Sequence, residues 1–89
     1  MKEAEVQIIN RLGLHARAAA RFVHLANRFD CEISVTKDGS KVDGKSILGL
    51  LTLAAAKGSR LRVAASGRDE EAALAELGDL IRNRFDEDE

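Results

Sequence analysis

Cys31-Glu32-Ile33-Ser34-Val35-Thr36-Lys37-Asp38-Gly39-Ser40-Lys41-Val42 decides the fold. Cys31, Ile33 and Val35 alternate with Glu32, Ser34 and Thr36, the period of a strand with one buried face, and Asp-Gly is the pair that a two-residue hairpin turn prefers. A short return strand over residues 40–42 follows. A tight hairpin makes its two strands antiparallel, so the sheet cannot be the all-parallel kind that helices wrap on both faces.

Upstream, residues 3–9 also alternate, with Ala4, Val6 and Ile8 opposite Glu5 and Gln7. Asn10-Arg11-Leu12-Gly13-Leu14-His15 breaks this pattern. A helix is predicted over residues 16–28, its apolar stripe formed by Ala19, Phe22, Val23, Ala26 and Phe29. Downstream, Ser46 is a good N-cap for a short second helix through Ile47-Leu48-Gly49-Leu50-Leu51-Thr52-Leu53. Ala54-Ala55-Ala56-Lys57 reads as that helix's fraying end, with Gly58 in the left-handed position after it. Leu61, Val63 and Ala65 mark a last strand. Asp69, Glu70 and Glu71 open a third helix whose stripe is Leu74, Leu77, Leu80 and Ile81. Asp86-Glu87-Asp88-Glu89 reads as a solvated acidic tail. The order is strand, helix, strand, strand, helix, strand, helix. Three helices on one face of a four-stranded sheet bury every stripe, so the fold class is α+β, a two-layer open-faced sandwich.

The 89 residues suffice for one domain, residues 1–89, with one core. Charge is balanced, 14 basic against 15 acidic side chains, so no global field attracts a polyanion. The 3% of aromatic residues are all Phe, which argues against base-stacking platforms and nucleic acid as a partner. The one cysteine, Cys31, cannot form an internal disulfide, reads as a small core residue, and fits a reducing cytoplasm. The acidic start Met1-Lys2-Glu3-Ala4-Glu5 is unlike a secretory leader. No run approaches the ~18 apolar residues of a membrane span, so a cytoplasmic location without membrane contact is expected.

Three constellations could carry chemistry. In Gly13-Leu14-His15-Ala16-Arg17 an imidazole stands where a helix cap belongs, and Arg17 and Arg21 lie where the helix dipole disfavours cations. Something anionic should offset them. Helix-start N–H groups with an arginine fork form an anion site, and a neutral imidazole beside it is a nucleophile for a phosphoryl group. From residue chemistry alone a merely solvated His15 is an equal reading. His24, on the polar face of the same helix, reads as surface, and the two histidines have no Cys or acid at ligand spacing, so no metal site is expected.

Second, Gly39-Ser40-Lys41-Val42-Asp43-Gly44-Lys45-Ser46 matches the P-loop pattern in full. A phosphate-wrapping loop follows a buried parallel strand, whereas here Asp38-Gly39 turns a hairpin and Val42 belongs to its return strand. A P-loop nucleotide-binding module therefore remains only as a remote alternative. Third, Ile47, Leu48, Leu50, Leu51 and Leu53 cannot all face one sheet, so some form a surface patch, incidental or for docking. A purely protein-binding regulator could rest on that patch, but it would have no need of His15 at a helix start.

The chain resembles the HPr family, the histidine-containing phosphocarrier proteins of the bacterial phosphoenolpyruvate-dependent phosphotransferase system. The resemblance rests on Gly13-Leu14-His15-Ala16-Arg17 and Gly44-Lys45-Ser46-Ile47-Leu48-Gly49-Leu50, with Ala56-Lys57-Gly58-Ser59 before the last strand. It implies a four-stranded antiparallel sheet in the order 1-4-2-3. It implies that His15 takes a phosphoryl group on Nδ1 from enzyme I and hands it to a histidine of an enzyme IIA protein, with Arg17 stabilising the phosphate. Ser46 would be the target of an ATP-dependent HPr kinase/phosphorylase. Ile47, Leu48 and Leu51, with Ala20 and Arg21, would dock these partners; a monomer without cofactor is expected. Ala18 stands where a proline usually follows the motif, and Leu12 where Asn or Ser is frequent. These departures resemble HPr proteins of incomplete or nitrogen-related systems, in which phosphoryl flow regulates without sugar transport.

Overall fold

Asp38 and Gly39 both take positive φ, 50° and 86°, the conformation of a two-residue hairpin turn. Across it Lys37 pairs with Ser40, Thr36 with Lys41 and Val35 with Val42. The computed structural model describes residues 1–89 and contains β1 (Lys2–Gln7), α1 (Ala16–Ala26), β2 (Glu32–Lys37), β3 (Ser40–Asp43), α2 (Ile47–Thr52), β4 (Arg60–Ser66) and α3 (Glu70–Arg82), then a 3-10 turn, Arg84–Asp86. The four strands form one antiparallel sheet in the order β1-β4-β2-β3. Leu61, Val63 and Ala65 of the inner strand β4 are buried together with Ile33 and Val35 of β2. The three helices add Phe22, Leu50, Leu77 and Ile81 among others, and β1 and the connecting segments add Val6, Ile8, Leu14, Leu53, Ala55 and Phe85. Glu5, Arg60, Arg62 and Lys41, on the outward strand positions, are exposed. The P-loop match therefore contains a paired strand, β3, in place of a phosphate-wrapping loop, and its lysine, Lys45, donates from Nζ to the Phe29 carbonyl at 2.7 Å.

Cys31 is buried beside the Asp69 carboxylate, and burial first, then Asp69, holds its thiol above the ordinary value. Asp69 accepts the backbone N–H groups of Asp30 and Cys31 at 2.9 and 3.0 Å and so ties the start of β2 to the start of α3. The bond from Asp30, the largest influence, keeps this carboxyl below its usual range against the opposing push of burial.

Three local expectations change. The first helix ends at Ala26, where Arg28 and Phe29 instead donate to carbonyls three residues back. The second ends at Thr52, and the left-handed residue after it is Ala54, at φ 49°; Gly58 belongs to a later turn, where its N–H donates to Ile8. The third correction concerns the C-terminus. Residues 86–89 are not a free solvated tail: Phe85 is fully buried, and the segment after it folds back along the loop that precedes α1. An aromatic side chain with no access to water supplies roughly 3–5 kcal/mol relative to Ala, enough to hold a short segment in place.

Candidate functional site

His15 is the residue ahead of α1, in extended conformation, and its side chain makes no capping bond. The loop that presents it is tightly held. Gly13 lies at φ 69°, and a β-carbon there would stand 2.6 Å from the Ala55 carbonyl oxygen, so only glycine fits. Leu14 donates its N–H to the same Ala55 carbonyl at 2.8 Å and buries its side chain. His15 is thereby fixed against the segment that follows α2. The amides of Ala16, Arg17 and Ala18, like those at any helix start, have no carbonyl behind them.

The ring is half-buried, and its Nε2 meets the carboxylate of Glu87, whose side chain is only 12% exposed. The other Glu87 oxygen accepts from Asn10 Nδ2 at 2.9 Å. Asn10 is fully buried and also donates to the Gly13 carbonyl at 2.8 Å, while its Oδ1 has no partner. Arg21 donates to the Phe85 carbonyl, and Arg11 pairs with Glu89 at 2.9 Å. The result is a groove of about 300 Å³ lined by Arg11, Leu12, Arg17 and Arg21 on one side and residues 86–89 on the other. The C-terminal segment thus brings carboxylates to the start of α1, with Glu87 on His15 and Glu89 on Arg11, while Arg17 faces the groove without a carboxylate of its own. Burial pushes the Glu87 carboxyl up, but the hydrogen bonds from Asn10 and His15, and the charges of His15 and Arg21, outweigh it and leave the group below the ordinary glutamate value.

Of the residues singled out from sequence, Arg17 is exposed on the groove, Arg21 is half-buried and engaged, and Ala20 is exposed between them. His24 is exposed. Ser46 caps α2 by accepting the N–H of Gly49 at 3.0 Å. Ile47 and Leu48 are 40% and 77% exposed and Leu51 is half-buried, whereas Leu50 and Leu53 enter the core. α2 has six residues, about 9 Å of helix, between the Ser46 cap and the segment whose Ala55 carbonyl holds the His15 loop. Sequence reasoning missed Asn10 and Glu87, which lie 77 residues apart and carry no local signal. A larger hollow of about 660 Å³ lies over β2 and β3, away from His15. No three His, Cys, Asp or Glu side chains are grouped to hold a metal ion, and no helix is long and apolar enough to cross a membrane.

Comparison with known proteins gives this geometry its context. The family model PTS-HPr, described as the PTS HPr component phosphorylation site, matches residues 2–83. The chain belongs to the HPr family. It is 51% identical over 90 residues to the phosphocarrier protein HPr of Pseudomonas aeruginosa and 48% identical over 89 residues to that of Neisseria meningitidis, with all of both chains covered in each case. Among solved structures, an HPr from Thermoanaerobacter tengcongensis superposes with a TM-score of 0.96 at 45% identity over the whole of both chains. An HPr from Bacillus anthracis gives 0.87 at 41% identity, over 90% of this chain and 95% of the other. HPr proteins are phosphocarriers of the phosphotransferase system, not turnover enzymes.

The depressed Glu87 carboxyl has a pH consequence. A group whose folded value lies below its unfolded one stabilises the fold above the unfolded value, and that contribution is lost as pH falls through the folded one. The C-terminal segment of this HPr should therefore stay docked through the ordinary glutamate range and release only below it. Carboxyl-carbon NMR should place the Glu87 midpoint below the ordinary glutamate value, and His15→Ala should move it up. An ordinary midpoint that His15→Ala leaves unmoved would refute the contact.

Proposed function

We propose that this chain, acting as a single domain over residues 1–89, accepts a phosphoryl group on Nδ1 of His15 from phospho-enzyme I, with phosphoenolpyruvate as original donor. It passes the group to a histidine of an enzyme IIA protein. The observation that carries this reading is the half-buried imidazole at an uncapped helix start, beside a groove lined by Arg11, Arg17 and Arg21. Free amides at the start of α1 and the exposed Arg17 guanidinium suit a phosphoryl dianion, and the ring nitrogen supplies the nucleophile. The carrier works in the cytoplasm as one copy and needs no cofactor, because the reaction only exchanges one bond to phosphorus for another.

Docking rests on Ile47, Leu48 and the half-buried Leu51, with Ala20 and Arg21 of α1 alongside. Leu48, at 77% exposure, is the natural anchor, since large exposed apolar side chains concentrate at interaction surfaces. Ser46 is the regulatory position and HPr kinase/phosphorylase its modifying enzyme. A phosphate at this N-cap agrees with the helix dipole and so is tolerated by the fold, while its charge next to Ile47 and Leu48 hinders an acidic partner surface.

With enzyme I and phosphoenolpyruvate, the wild-type chain should take up an acid-labile, base-stable phosphoryl label that His15→Ala abolishes and His24→Ala retains. The opposite pattern assigns the label to His24 and rejects the proposal. Leu48→Glu should keep the wild-type circular dichroism and weaken productive docking by roughly 1–3 kcal/mol in transfer kinetics, the loss typical of an interface anchor. Normal transfer by a folded Leu48→Glu chain would remove α2 from the docking surface.

A further inference from the structure

We propose that Glu87 is a positioning residue for phosphoryl uptake: its carboxylate holds the proton of the neutral His15 ring on Nε2, so that Nδ1 presents the attacking lone pair. The inference rests on His15 being the acceptor, and goes beyond it by naming the group that selects the reacting nitrogen.

An ionised carboxylate only accepts hydrogen bonds, and a neutral imidazole has one N–H and one lone pair. The nitrogen that meets Glu87 is Nε2, so the N–H is there and the lone pair is on Nδ1. The carboxylate is itself held. Its second oxygen takes the Asn10 amide, and Asn10 is locked to the Gly13 carbonyl two residues before the histidine. The chain reaches this place through positive φ at Arg84, Phe85 and Asp86, a turn stabilised by the fully buried Phe85 ring and by Arg21 on the Phe85 carbonyl. Three successive non-glycine residues in the left-handed region are rare, and surrounding contacts must hold them there.

During uptake the Nδ1 lone pair forms the bond to phosphorus, and the bond from phosphorus to the donor's leaving atom breaks, its electron pair staying with the donor. The Nε2 proton remains throughout, so no base has to remove it. The ring becomes a phosphorylated imidazolium whose positive charge faces Glu87, and onward transfer returns the electron pair to Nδ1. An acid that orients a histidine and supports its cationic form is the role that the aspartate plays in serine-hydrolase triads.

The test uses the full chain with Glu87→Gln and Glu87→Ala, read by imidazole nitrogen NMR and by rapid-quench kinetics of uptake from phospho-enzyme I. The wild-type neutral ring should be the Nε2–H tautomer. A glutamine that keeps its oxygen on Asn10 offers an N–H to the ring, so Glu87→Gln should shift it toward Nδ1–H, and Glu87→Ala should give a mixture. Both should slow uptake roughly ten- to a hundredfold, the loss seen when the carboxylate that orients a metal-bound histidine is removed. A wild-type ring protonated on Nδ1, or uptake unchanged in both variants, overturns the proposal. Slower uptake with the Nε2–H tautomer retained overturns it too, leaving Glu87 a structural role. Failure of the wild type to label His15 at all instead rejects the acceptor reading, and the tautomer then reports on Glu87 independently.

Discussion

The approach of the Gly13 backbone to Ala55, close enough that a single added carbon would collide with a carbonyl, is the constraint on which the site depends. It joins the loop after β1 to the loop after α2 without a side chain between them, and the Leu14 N–H bond to the same carbonyl closes the junction. The direction in which α1 starts, and with it the position of His15, follows from that junction. β1 ends beside the start of β4, with Gln7 opposite Arg60, so the loop that leaves β1 lies next to the segment that enters β4.

Arginines at a helix start are electrostatically unfavourable unless an anion is near. In this chain residues 86–89 fold back to that end of the helix and bring carboxylates beside it, Glu87 on His15 and Glu89 on Arg11. The arrangement compensates part of the positive charge along the groove. Arg17 has no partner in this network and stays exposed on the groove, whereas Arg21 is occupied in holding the Phe85 carbonyl. Two arginines that look equivalent in the sequence thus differ in what they are free to do.

The sheet was legible because its signals are local. Alternation around Asp38-Gly39 specifies a hairpin, Ser46 caps the helix it precedes, and the stripe through Phe22, Val23 and Ala26 meets the core as its spacing requires. His15 stood out for the same reason, as an unusual residue at a helix start. The C-terminal segment was not legible: an acidic run reads as solvated unless one knows that Phe85 is buried, and that depends on where α3 ends against α1. Asn10 looked like a strand breaker, yet it is the bracket between Gly13 and Glu87. The end of α2 was misplaced because Gly58, which does take positive φ, does so in a later turn, while Ala54 is the left-handed residue that follows the helix.

The claim at the centre of this account is that one ring nitrogen of one histidine carries the phosphoryl group. Phosphorus–nitrogen coupling in the nitrogen-15-labelled chain, phosphorylated with enzyme I and phosphoenolpyruvate, tests it directly. Coupling to Nδ1 of His15, with a proton still on Nε2, is the predicted result. Coupling to Nε2, coupling within His24, or a phosphorus signal with no coupling to nitrogen at all would contradict it.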